Sequence, residues 1–248
     1  MSIIVKQESK ALQEAAKLLS RQVDSMAFSR PPGAVIYNPL DYAWEPFAAY
    51  IDRYGGGKKK TLFLGMNPGP WGMAQTGVPF GEVETVKNWL GIDGRIKKPR
   101  EQHPKRPIEG FDCRRSEVSG LRLWGLMKER FNGPDDFFRD HLIVNYCPLI
   151  FLEPSGRNKT PDKLPKEERN RLQEACDIHL KRVIEITGAE YLIGIGKYAE
   201  KAFIRVAGAM GKTIASVLHP SPASPAANRG WAGQASKHLE AIGVWVCE

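Results

Sequence analysis

Two proline-stiffened loops carry the side chains of this sequence best suited to chemistry. The first, Met66-Asn67-Pro68-Gly69-Pro70, follows the short apolar run Thr61–Gly65; the second, His219-Pro220-Ser221-Pro222-Ala223-Ser224-Pro225, follows the apolar run Ala215–Leu218. Prolines and glycine forbid helix there and fix tight, stiff turns. The first loop offers a carboxamide, Asn67, with an aromatic ring, Phe80, a little further on; the second offers an imidazole, His219. A third polar side chain, Asn145, closes another apolar run. Such a set suits a flat ligand with polar edges. Each residue also has a plainer reading: a loop amide satisfying backbone, a structural histidine, a buried amide at a strand end, a core phenylalanine.

These residues act together only if the fold gathers them. Thr61–Gly65, Leu142–Asn145, Tyr191–Ile195 and Ile214–Leu218 read as four short interior strands. Helices are expected at 8–29, 41–54 with Asp41 as N-cap, 84–91, 117–131, 166–187, 197–208 and 232–242, with a shorter turn near 135–140. The inner face of 166–187 is assigned to Leu172, Ala175, Cys176, Ile178, His179, Leu180, Val183 and Ile186. Residues 92–116 read as a basic excursion over the surface. Strands alternating with helices imply an α/β fold, three layers α/β/α around a central four-stranded parallel sheet. Ligands of such sheets bind beyond the carboxyl ends of the strands, which is where Asn67, Asn145 and His219 would meet.

Composition sets the bounds. The 248 residues suffice for one domain, 1–248, with a full core. The apolar runs are too short to cross a membrane, and the first ten residues do not read as a secretory signal. Four scattered cysteines (Cys113, Cys147, Cys176, Cys247) contain no CxxC pair. That spacing speaks against a metal or iron–sulfur centre and for free thiols in a reducing compartment. The net charge is +8, and Arg95–Arg122 holds nine basic residues against four acidic ones. Such a patch either attracts phosphates or is a solvated loop. Two further motifs are set aside. Gly194-Ile195-Gly196-Lys197-Tyr198-Ala199 fits GxGxxA, but on a late strand with no following acid, so it reads as a tight strand-to-helix turn. Gly211-Lys212-Thr213 lacks the earlier glycine and the following helix of a P-loop.

With those residues in view, the chain resembles a known family. Gly65-Met66-Asn67-Pro68-Gly69-Pro70-Trp71-Gly72-Met73-Ala74-Gln75-Thr76-Gly77-Val78-Pro79-Phe80-Gly81 is similar to the first motif of single-strand-selective monofunctional uracil-DNA glycosylases, and His219–Trp231 to the second. Ser116–Gly120, Asn145–Leu149 and Ser155–Asn158 match segments between them. The resemblance implies a uracil-DNA glycosylase-like fold and a DNA-repair enzyme that flips uracil out of DNA and hydrolyses its N-glycosidic bond. Asn67 would orient the attacking water, and His219 would donate to uracil O2 as charge builds there. Asn145 would read N3–H and O4, and Phe80 would stack on the base. Met66 and Gly69 would line the pocket through backbone groups. Gly69 and Met73 would lie near the C5 substituent, leaving room for 5-hydroxymethyluracil.

DNA contacts would come from Arg114 and Arg115 and from Ser221, Pro222, Ala223 and Arg229. Ala223 stands where animal members carry arginine, which bears on how the loop wedges into duplex. Trp71 replaces the family's usual phenylalanine. Neither motif loop holds a lysine for Schiff-base chemistry, so hydrolysis without strand cleavage is expected. No metal or organic cofactor is implied. The implied partner is uracil-containing DNA, single- and double-stranded, with no membrane and a monomeric enzyme in the cytoplasm, at the nucleoid or in the nucleus. Alternatives are a superfamily glycosylase for other deaminated bases, a non-catalytic DNA-binding module, or an enzyme of free nucleosides.

Overall fold

The structure, a computed structural model, describes residues 3–246, with backbone alone for 3–6. In chain order the elements are α1 (Ile3–Asp24), β1 (Val35–Tyr37), α2 (Pro39–Tyr42), α3 (Trp44–Tyr54), β2 (Thr61–Gly65), α4 (Met73–Thr76), α5 (Val83–Asn88), α6 (Val118–Arg130), α7 (Pro134–Asp140), β3 (His141–Asn145), β4 (Ile150–Leu152), β5 (Asn158–Lys159), α8 (Lys166–Thr187), β6 (Tyr191–Ile195), α9 (Lys197–Ala207), β7 (Thr213–Val217) and α10 (Trp231–Ala241).

β2, β3, β6 and β7 form a parallel sheet in the order β3-β2-β6-β7. All five residues of β2 are buried, because helices cover both faces, and this is why the strand is a continuous apolar run. The expected three-layer α/β architecture is therefore present. From β2 the chain passes to β3 on one side, whereas β6 leads to β7 on the other. The crevice at that reversal lies at the carboxyl ends of β2 and β6. Gly194 explains the GxGxxA run: a Cβ there would stand 2.4 Å from the Glu200 nitrogen, so α9 packs directly on β6.

Three differences from the sequence expectations have physical causes. First, β1, β4 and β5 form a separate three-stranded antiparallel sheet. Second, Asn38, not Asp41, caps the helix at 41–54, and that helix is broken at Ala43 into α2 and α3. Third, α1 ends at Asp24, after which Phe28 meets Phe151 edge-on at 5.1 Å. Ile178 was assigned inward but is 60% exposed, while its neighbours Ala175, Cys176 and Leu180 face the core.

The basic segment 92–116 is more than a surface excursion. Its His103, Ile108 and Cys113 are buried. Tyr37 Oη donates to the Arg106 carbonyl at 2.8 Å, and the His103 amide donates to Tyr37 Oη at 2.7 Å. The segment is thereby pinned to the small sheet. Cys113, Cys147 and Cys176 are free and buried; Cys247 lies outside the described residues. No helix among the described residues is long and apolar enough to cross a membrane.

Candidate active site

A crevice of about 510 Å³ opens beyond the carboxyl end of the parallel sheet, lined by Met66, Asn67, Gly69, Phe80, Asn145, His219, Ser221 and Pro222 among others. That volume suits a small ligand, since such sites span about 300–1,000 Å³. Three sequence-distant loops therefore do converge. The parallel register sets Gly65 beside Asn145, and β7 delivers His219 against Gly196, whose Cβ would stand 3.2 Å from that of His219.

The orientation of each polar group follows from its partners. Asn67 Nδ2 donates to the Leu149 carbonyl at 3.2 Å and to Asn158 Oδ1 at 3.5 Å. Asn158 Nδ2 in turn donates to the Pro68 carbonyl at 3.0 Å. With the amide nitrogen committed, Asn67 Oδ1 is the atom left to accept from a water. Asn145 Nδ2 lies 3.2 Å from Met73 Sδ, a weak acceptor, and Asn145 Oδ1 is buried with no partner among the described residues. An orphaned buried acceptor costs about 1–3 kcal/mol, which a ligand N–H in the crevice would recover.

Phe80 is the non-glycine residue of the described chain held at positive φ, 53°. Such a conformation costs on the order of 1–3 kcal/mol and persists only where surroundings impose it. They do so here: Trp124 Nε1 and the Glu82 amide both donate to the Phe80 carbonyl, at 3.1 and 2.8 Å. The ring is laid across Gly65 and sits 6.1 Å from the His219 ring. Burial lowers the His219 pKa, so the imidazole is neutral at physiological pH and can donate from one nitrogen.

α6 braces the site from one side. Glu117, just before it, packs against Gly69 and Gly72, and a Cβ on Gly120 would stand 2.2 Å from the Phe80 carbonyl oxygen. Arg122 donates to the carbonyls of Pro220 and Ser221 at 3.2 and 3.4 Å and to Asn228 Oδ1 at 2.9 Å. Arg122 is thus a latch on the His219 loop rather than a free cation of the basic patch. At the lip, Trp71 lies between two guanidinium groups, Arg106 at 4.9 Å and Arg115 at 4.6 Å from its centroid. Arg114, Ala223 and Arg229 are exposed on the same rim segments without lining the crevice, whereas Pro222 is exposed and lines it. Met73 also lies outside the lining, buried behind Asn145.

The residues that sequence reasoning passed over are Gly65, Gly72, Glu117 and Asn158. Gly69 and Gly72 lack positive φ, so they are glycine for space, a signal invisible until the neighbour filling that space is known.

Comparison with known proteins decides the family. The profile described as "Uracil DNA glycosylase superfamily" matches residues 53–242. The chain belongs to the uracil-DNA glycosylase superfamily. It is 47% identical over 228 residues to the single-strand selective monofunctional uracil-DNA glycosylase of Rattus norvegicus, covering 91% of this chain and 82% of that one. It is 45% identical to that of Bos taurus, covering 94% and 86%. The crystal structure of Pedobacter heparinus SMUG2 superimposes with a TM-score of 0.67 over 94% of this chain and 97% of that chain, at 18% identity, a likeness of fold.

Proposed function

We propose that this superfamily member is a monofunctional uracil-DNA glycosylase, acting on uracil flipped out of DNA and leaving an abasic site without cutting the strand. The observation that carries the reading is the meeting of Asn67, Asn145, Phe80 and His219 in one crevice, with Asn145 Oδ1 lacking a donor. The flipped ring stacks on Phe80. Asn145 accepts from N3–H and donates to O4; cytosine presents the opposite pattern and leaves both groups unpaired, which discriminates strongly. His219, neutral, donates to O2 as the base departs with negative charge. A preorganised donor of this kind supplies ~3 kcal/mol, about a hundredfold in rate.

Asn67 Oδ1 accepts from the attacking water and aims it at the sugar carbon. An amide is a poor base, so this is orientation, suited to a bond largely broken before attack. Among the described residues no lysine lines the crevice, which supports hydrolysis over Schiff-base lyase chemistry.

The Pro222-Ala223 tip and Arg114, Arg115 and Arg229 face DNA in this reading, with Ser221 at the boundary between loop and crevice. The enzyme acts on single strands and, with a weaker wedge because Ala223 is short, on duplex. It works as a monomer, in one catalytic domain inside the cell, and admits 5-hydroxymethyluracil beside Gly69.

The test is a single-stranded oligonucleotide with one uracil, incubated with protein and then with alkali. Cleavage only after alkali is the expected result. Binding without abasic product would identify a non-catalytic module, and cleavage before alkali a bifunctional lyase. Release from hypoxanthine or xanthine strands in preference to uracil would shift the substrate class.

A further inference from the structure

Glu117 also lines the crevice. Glu117 precedes α6, and its carboxyl is packed against the loop that carries Asn67. A Cβ on Gly72 would stand 1.4 Å from Glu117 Oε2, and one on Gly69 2.4 Å from Oε1. The carboxyl therefore fills the room that two side chains would take. Oε2 is buried and has no hydrogen-bond partner among the described residues. An ionised carboxylate there is an uncompensated buried charge, far costlier than a neutral acid.

We infer that Glu117 is a positioning residue for Asn67, a carboxyl wedge that locks the Pro68–Gly72 loop against the start of α6. The functional consequence rests on the glycosylase reading; the wedge itself rests on geometry. Asn67 is joined directly to this loop, so a shift of the loop moves the amide. Burial pushes the Glu117 carboxyl up to about 7, with the Glu82 charge adding to the effect. Glu82 is itself engaged with the amide and hydroxyl of Thr85, both at 2.9 Å. Arg115 is turned over the Trp71 ring, and His219 across the crevice is held neutral by burial. Ionisation of Glu117 thus adds a charge next to another carboxylate, and the loop loosens.

Two variants separate shape from charge. Glu117→Gln keeps the wedge and removes the titration; Glu117→Ala removes the wedge. Single-turnover excision on a uracil-containing single strand is measured from pH 6 to 9. The wild-type rate is expected to fall about tenfold across that range, and the Gln variant's rates at the two ends to agree within about threefold. The Ala variant is expected to be slower by about tenfold or more at pH 6, with little change in oligonucleotide affinity, since small misplacements of a reacting group cost up to about a hundredfold. A Gln variant that slows with pH as the wild type does would overturn the inference, as would an Ala variant at wild-type speed.

A second readout needs no catalysis. Trp71 sits in the wedged loop, and its fluorescence, isolated by difference from Trp71→Phe, is expected to titrate near pH 7 in the wild type and to stay flat in Glu117→Gln. A flat wild-type signal sinks the wedge even if uracil is excised. A titrating signal in a protein that excises no uracil sustains the wedge and sinks the glycosylase reading. If the Ala variant does not fold, the Gln profile and this titration decide.

Discussion

Gly65 and Asn145 stand side by side at the carboxyl ends of β2 and β3, and the Asn145 carboxamide occupies the place a Gly65 side chain would take. A Cβ on Gly65 would lie 2.2 Å from Asn145 Oδ1 and 2.6 Å from Phe80 Cε2. One missing methyl group thus makes room for both the Asn145 amide and the Phe80 ring, the proposed edge reader and stacking platform. Gly65→Ala is expected to displace them and to lower uracil excision by about tenfold or more, while the buried strand keeps the protein folded. Wild-type excision by a folded Ala variant would show that the pair tolerates displacement.

Asn67→Ala removes the oxygen proposed to align the water, and His219→Ala the proposed donor to O2. Each is expected to lose at least about tenfold in single-turnover rate, with His219→Ala nearer a hundredfold. Circular dichroism should show both folded. Unchanged rates in both would remove the assigned roles.

Asn145→Ala should separate function from stability. The native amide leaves a buried oxygen unpaired, so its removal relieves a penalty of ~1–3 kcal/mol and offsets the lost packing. Urea unfolding is expected within about 1 kcal/mol of wild type, with excision severely reduced. A marked loss of stability with excision intact would place the side chain in the core instead.

His141 predicts the acid behaviour of the fold. Its ring lies among Phe63, Phe131 and Phe137, and burial lowers its pKa to about 4. An unfolded histidine binds its proton near 6.5. Between those values the unfolded state holds more protons, so stability is lost as pH falls from about 6.5 towards 4, by ~2–3 kcal/mol from this residue. His141→Phe should reduce that loss, measured as the difference in urea midpoints at pH 7 and pH 5. An unchanged difference would mean that other groups govern acid unfolding.

The parallel sheet was legible because each strand is a short apolar run bounded by breakers, and the alternation with helices left few topologies. Asn67, Asn145 and His219 were legible because each ends or closely follows such a strand. The second sheet was not: β1 has three residues, Val35–Tyr37, lodged between proline-rich segments, and β5 has two. Strands so short owe their existence to pairing rather than to pattern. Ile178 fits the helical period of α8 but faces out, because α1 covers a narrower strip than the apolar stripe offers. Glu117 falls within a matching segment but has no role legible there, since nothing local says that its carboxyl fills the space beside two distant glycines.

α6 meets the Asn67 loop through Glu117, the Phe80 carbonyl through Gly120 and Trp124, and the His219 loop through Arg122. A single rod is the common crossbar for the three groups proposed to align water, stack the base and support the leaving group. These three functions cannot be tuned apart by sliding that rod: any tilt degrades them together. Adaptation towards a new base must then proceed by exchanging side chains at the crevice wall, with the frame held still.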